Sequence, residues 1–165
     1  MFPGAFDPLH DGHQRMAKLA QQIMSNEVEF EIAINNVDKS LLDYTEIDQR
    51  IQQIIPRHGV WLTRATTFVD KSRIFPDAIF LVGADTIQRI ADPTYYGDDS
   101  DACLSAIESI ASNRSRFLVF GRNGLNGFQS LSDLHLPEKL MKLCQEVGED
   151  HFRADISSTE IKRSL

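Results

Sequence analysis

The chain has 165 residues, 42% of them hydrophobic and 25% charged, with a formal net charge of −7. That suits one globular domain with a real core, is too short for two ordinary ones, and argues against wholesale disorder. An acidic balance argues against a surface that coats DNA or RNA, because phosphate neutralisation needs a basic face, but it leaves room for a basic pocket around one small phosphate compound. Cys103 and Cys144 form no CxxC pair, so they read as core thiols of a reducing, cytoplasmic compartment rather than as a zinc or redox motif. No membrane span and no signal peptide is expected. The oligomeric state is open.

In chain order, Met16, Leu19, Ala20, Ile23 and Met24 share one helix face, which predicts a helix over about Asp11–Ser25. Alternation of Phe30, Ile32 and Ile34 predicts a strand within Val28–Asn35. Thr45 can cap a helix carrying Ile47, Ile51, Ile54 and Ile55, ended by Pro56. A short strand at Val60–Thr63 and a short helix at Thr67–Phe75 follow. Ala78–Gly83 is a continuous apolar run, as in a strand buried on both faces. A helix over Asp85–Ala91, a loop over Asp92–Ser100 and a helix over Asp101–Ser112 come next, the last with Leu104, Ile107 and Ile110 on one side. Arg116–Gly121 is a second buried strand and Asn123–Gly127 a glycine-rich turn. Leu140, Leu143, Cys144 and Val147 suggest a helix, Phe152–Asp155 an extended piece, and Ser158 onward a terminal helix. Alternating strands and helices predict an α/β fold, a Rossmann-like parallel sheet with helices on both faces that binds ligands at the strand carboxyl ends.

The string GAFDPLHDGH, Gly4–His13, runs from a presumed strand end into the first helix. Gly4, followed by Ala5 and Phe6, lets the backbone turn closely under a ligand phosphate. His10 and His13 flank Gly12 at the helix start, where free backbone N–H groups already favour an anion. Two imidazoles there can hydrogen-bond the phosphoryl oxygens on which charge builds during transfer. A capped helix with two incidental histidines is the plain alternative. A metal site of Asp7, His10 and His13 lacks a fourth ligand at usual spacing.

This segment resembles the HxGH signature of the cytidylyltransferase-like nucleotidyltransferases, in the fuller form GxFDPxHxGH. In that form it looks like the nicotinate and nicotinamide mononucleotide adenylyltransferases and the pantetheine-phosphate adenylyltransferases. Near the other end Ile156, Ser157, Ser158, Thr159, Glu160, Ile161 and Lys162 read ISSTEIK, similar to the family's ISSTxIR. The resemblance implies that this helix start holds the β- and γ-phosphates, with Lys162 in place of the usual arginine and Arg163 beside it. Between them, Gly83, Ala84 and Asp85 resemble the GAD or GSD of the nicotinate mononucleotide branch, whose aspartate contacts the nucleotide ribose; Asp85 is equally well placed as a helix N-cap. Lys39 and Arg50 match a lysine and arginine that relatives often carry, the lysine closing over the triphosphate or acceptor phosphate and the arginine on the acceptor side. Arg122 sits where relatives often carry an arginine for the acceptor's phosphate or carboxylate.

Two departures stand out. The tryptophans that follow GAD in many pyridine-nucleotide enzymes are absent, and Tyr95 and Tyr96 there read as loop anchors or acceptor-stacking rings. Only Met1, Phe2 and Pro3 precede Gly4, where a strand of about five or six residues is usual. The chain is therefore read as a single domain, 1–165, with a fragment of a longer protein left open. The resemblance implies transfer of AMP from ATP, with Mg²⁺, to a phosphate-bearing acceptor such as nicotinate or nicotinamide mononucleotide, with release of pyrophosphate. Use of CTP and a catalytically silent nucleotide-binding module are the alternatives. A class I aminoacyl-tRNA synthetase fragment fits poorly with the acidic charge and small size. The partners expected are small molecules, not nucleic acid.

Overall fold

A computed structural model describes residues 1–34, 43–124, 127–150 and 152. By its internal contacts the chain forms two compact units, whose described residues lie within 1–66 in one and 67–152 in the other.

In the first unit, strand β1 (Phe2–Pro3) leads to helix α1 (Asp11–Met24), strand β2 (Phe30–Ala33), helix α2 (Tyr44–Ile54) and strand β3 (Val60–Thr63). The sheet order is β1-β2-β3, all parallel, with Phe2 opposite Phe30 and Phe30 opposite Val60. Parallel neighbours require crossover connections, which the runs containing α1 and α2 supply. The central strand is the driest: Phe30, Glu31 and Ile32 are all fully buried, and the Glu31 carboxylate accepts from the Thr63 hydroxyl of β3. Strand β2 is shorter than its alternation suggested. Beyond Ala33 the Ile34 N–H still donates to Thr63 O at 2.8 Å, and Asn35 lies outside the described residues. Helix α2 starts at Tyr44 rather than after Thr45. Asp43 is the cap: its carboxylate accepts from Glu46 N–H at 2.8 Å, and the Glu46 side chain accepts from Asp43 N–H at 3.2 Å. This reciprocal box satisfies two open donors at once, which a lone threonine cannot do. On α1 the fully buried residues are the small ones, Ala17 and Ala20, while Ile23 is exposed.

In the second unit, helix α3 (Phe68–Ile74) lies within the predicted Thr67–Phe75 helix and is capped by Thr67. Strand β4 (Ile79–Gly83), helix α4 (Ala84–Ile90), a 3₁₀ turn at Pro93–Tyr96, helix α5 (Ser100–Ser112) and strand β5 (Arg116–Phe120) follow. Strands β6 (Arg122–Gly124) and β7 (Gly127–Gln129) form an antiparallel pair where only a glycine turn was expected. A 3₁₀ turn at Leu131–Asp133, helix α6 (Glu138–Met141) and strand β8 (Cys144–Val147) complete the unit. Its sheet is β4-β5-β8, again parallel. Phe80, Leu81, Phe117, Leu118, Val119 and Phe120 are buried, so β4 and β5 are covered on both faces as their unbroken apolar runs imply. On α5 the buried face is Cys103, Ile107 and Ile110; Leu104 is exposed. Each unit is thus a parallel sheet flanked by helices, the Rossmann-like α/β architecture predicted from the alternation.

The helix predicted through Leu140, Leu143, Cys144 and Val147 is a correction. Its apparent period of three to four spans two elements: Leu140 is the buried residue of α6 and Val147 the buried residue of β8. The free edge of β5 captures the second half, with Phe117 N–H donating to Leu143 O at 2.8 Å. Burial then pushes the Cys144 thiol up to about 12, and raises Cys103 as well. At pH 8 a thiol so shifted is almost wholly protonated, so iodoacetamide labelling of Cys144 in the folded protein is expected to be roughly a thousandfold slower than in urea-unfolded chain. Equal rates would mean that Cys144 is not shielded in β8.

Candidate active site

The signature segment is still docked on the sheet where it begins: Gly4 N–H donates to Glu31 O at 3.0 Å. Phe6 then takes φ of 46°, a left-handed backbone that a bulky residue seldom adopts. Its ring is buried and folds back over Gly4, where an added Cβ would stand 2.7 Å from the ring tip. The need for glycine at this position is therefore set by the Phe6 ring, a reason the sequence alone did not offer. Phe2, Phe6 and Phe30 form one aromatic cluster, with ring centroids 5.2 Å apart for Phe2 with each partner and 4.9 Å for Phe6 with Phe30. The Asp7–Pro8 peptide is cis.

His10 is the N-cap of α1 in extended conformation, Gly12 is buried in the first turn, and His13 is the third helical residue. The His10 N–H donates to His13 Nδ1 at 3.4 Å. A backbone N–H can only donate, so Nδ1 accepts and the proton of the neutral ring sits on Nε2. His13 is also held by aromatic edges, 5.1 Å from Phe6 and 5.8 Å from Phe2. The two imidazoles stack at 3.7 Å between centroids, 25° from parallel. The helix start thus presents two adjacent rings, the second with its Nε2–H fixed as a donor.

Arg50 comes from α2 to this loop. Its Nη1 donates to Ala5 O at 3.0 Å and its Nη2 to Asp7 Oδ2 at 3.2 Å, with Glu46 Oε1 4.0 Å away. Its side chain is 9% exposed. The sequence reading placed it on the acceptor side; the contacts seen here are with the loop.

In the second unit, Gly83 ends β4 and is the N-cap of α4. Asp85 is in the first turn and is not the cap. Its Oδ2 accepts from Arg122 Nη1 at 3.1 Å and Arg89 Nη2 at 3.4 Å. Its Oδ1 folds toward Gly83, where an added Cβ would be 2.6 Å away. The carboxylate is oriented from both sides, and a side chain on residue 83 would displace it. Tyr96 donates its hydroxyl to Ile90 O at 3.0 Å, an anchor for its loop, while Tyr95 is exposed.

A family model described as cytidylyltransferase-like matches residues 1–164. The chain belongs to the cytidylyltransferase-like family. Among curated proteins no match to the sequence is found. Membership makes this protein a nucleotidyltransferase that acts on small-molecule nucleotides.

Of the residues that the signature implied for this cytidylyltransferase-like protein, the structure gathers Gly4, Ala5, Phe6, His10, Gly12, His13 and Arg50 around one loop. It gathers Gly83, Asp85 and Arg122 at the carboxyl ends of β4 and β5. Lys39 and the segment Ile156, Ser157, Ser158, Thr159, Lys162 and Arg163 lie outside the described residues. Two partners were missed in the sequence. Asp7 had a signal: it faces an arginine that stands within the apolar stripe of α2, between Ile47 and Ile54, and a charge in such a stripe needs a buried partner. Arg89 had one too, four residues after Asp85 on a helix. Among the described residues no group of three His, Cys, Asp or Glu side chains converges as a metal site, and no helix is long and apolar enough to cross a membrane.

Proposed function

We propose that this nucleotidyltransferase is an adenylyltransferase, moving AMP from ATP to a phosphate-bearing acceptor of the nicotinate or nicotinamide mononucleotide kind. The observation that supports this reading best is the stacked His10–His13 pair at the start of α1, with His13 Nδ1 accepting from the His10 backbone N–H. In the reaction an acceptor phosphate oxygen attacks the α-phosphorus in line. The bond from that phosphorus to the bridging oxygen breaks, and pyrophosphate leaves with the electron pair. No side chain need act as nucleophile; the protein positions two anions and stabilises the charge that builds between them. His10 and His13 serve the α-phosphoryl oxygens. Lys39, Lys162 and Arg163 hold the leaving pyrophosphate, the segment Ile156–Thr159 its phosphates, Asp85 the ribose and Arg122 the acceptor. Mg²⁺ arrives with the triphosphate as part of the substrate, because its hard oxygen ligands are supplied mainly by phosphates and water.

The deciding experiment is a screen of ATP and CTP, each with Mg²⁺, against a panel of phosphate acceptors, following pyrophosphate. ATP with a pyridine mononucleotide is expected to give the fastest release. Preference for CTP with any acceptor would replace the adenylyl reading by a cytidylyl one. Nucleotide binding without release for every acceptor would make the chain a silent binding module.

A further inference from the structure

We propose that Arg50 is a positioning residue for the histidine pair: it clamps the signature loop on both sides of Phe6 and so sets where His10 and His13 stand. The part of this concerning turnover rests on the adenylyltransferase reading; the part concerning geometry does not.

Arg50 is 8% exposed, and a guanidinium stays charged when buried, so it is stable there only if its donors are met by well-placed acceptors. Both of its terminal nitrogens are spent on one short stretch of chain. Nη1 holds the carbonyl of Ala5 and Nη2 holds the carboxylate of Asp7, at 3.0 and 3.2 Å. The residue between these two anchor points is Phe6, whose φ of 46° is unfavourable for any residue with a side chain. Such a conformation persists only when its surroundings enforce it. The planar fork of an arginine spans both anchors at once, and a lysine ammonium, a single point of charge, cannot.

The consequence reaches the rings through packing. Phe6 lies over Gly4 and sets its edge against His13 at 5.1 Å, and His13 in turn stacks on His10 at 3.7 Å. Without the clamp, Phe6 is free to return to an ordinary extended φ. That swings its ring away from His13 and removes one of the two aromatic edges that fix the imidazole. A shift on the order of 1 Å in such a group costs roughly 10²-fold in rate.

The test uses the full chain and four variants: Arg50→Met, Arg50→Lys, Asp7→Asn, and Arg50→Met combined with Asp7→Asn. The first readout is the imidazole NMR resonances of His10 and His13 in ligand-free protein. The second is the dissociation constant for Mg–ATP together with kcat for pyrophosphate release. Both Arg50 variants are expected to move the imidazole resonances and to lower kcat by about 10²-fold, with Mg–ATP affinity changed less than tenfold. Lysine will not rescue. Asp7→Asn will reproduce part of the shift, and the double variant will be no worse than Arg50→Met alone, since both act through one contact. Imidazole resonances unchanged from the parent, with a raised acceptor KM, would overturn the clamp and make Arg50 an acceptor anchor. Full rescue by lysine would also overturn it, by showing that charge alone suffices. If no acceptor supports turnover, the reaction assignment fails while the resonances still decide the clamp. If Arg50→Met does not fold, Arg50→Lys and the near-isosteric Asp7→Asn carry both readouts.

Discussion

Replacing His13 by alanine is expected to lower kcat by about 10²–10³, or roughly 3–4 kcal/mol of transition-state stabilisation, while Mg–ATP affinity changes by less than about tenfold. The reason lies in how the ring is held. His13 Nδ1 takes the His10 backbone N–H, and the edges of Phe6 and Phe2 bracket the ring, so the imidazole is held in place before any substrate binds. A donor fixed in advance stabilises charge that shifts onto the phosphoryl oxygens in the transition state, and needs no reorganisation at that moment. His10→Ala makes the control. It keeps the backbone N–H that orients His13 but removes the ring of His10, so kcat is expected to fall through loss of the His10 donor alone. Measuring kcat and the dissociation constant on the same folded variants decides the matter. Unchanged turnover in His13→Ala would reduce the histidine to a helix-start residue. Equal losses in turnover and binding would assign it to ground-state binding.

The second large effect concerns stability. Phe6→Ala is expected to cost about 3–5 kcal/mol, the usual range for removing a buried aromatic ring. Phe6 is 2% exposed and contacts Phe2, Phe30 and His13. Against a total stability of about 5–15 kcal/mol for a domain, that loss is severe. Phe6→Gly tests the backbone separately. Glycine ordinarily costs about 0.5–1 kcal/mol relative to alanine, through the entropy of the unfolded chain. At a left-handed position the order reverses, because alanine bears a steric penalty of roughly 1–2 kcal/mol that glycine does not. Phe6→Gly should therefore be at least as stable as Phe6→Ala in urea unfolding. The ordinary order, with alanine ahead, would contradict the left-handed backbone at this residue. Both variants should also weaken turnover, since the same ring steadies His13.

Most of the elements were legible because they follow local rules. The apolar runs Ala78–Gly83 and Arg116–Gly121 became the buried strands Ile79–Gly83 and Arg116–Phe120, and the short helix expected over Thr67–Phe75 formed as α3. The errors arose where a local pattern competed with a partner distant in sequence. Thr45 lost the cap of α2 to Asp43 because Glu46 completes a reciprocal box with Asp43. The run ending in Val147 mimicked a helix until the edge of β5, 27 residues earlier in register, supplied its hydrogen bonds.

What the sequence determined by itself is the family. The string from Gly4 to His13 places two imidazoles at a helix start following a strand, and its resemblance to the family signature pointed to the family whose model matches residues 1–164. What only the tertiary structure decided is how that site is held. Arg50 looked like one more surface or acceptor cation, because a one-dimensional pattern shows neither its burial nor the Ala5 carbonyl and Asp7 carboxylate, more than 40 residues away, that receive it. Gly4 looked like a glycine kept for a ligand, because nothing local says that the Phe6 ring folds back over it. Spacing along a chain fixes which groups a short element presents. The orientation of those groups depends on contacts closed by folding, and a buried charge or ring finds its partners only when distant segments meet.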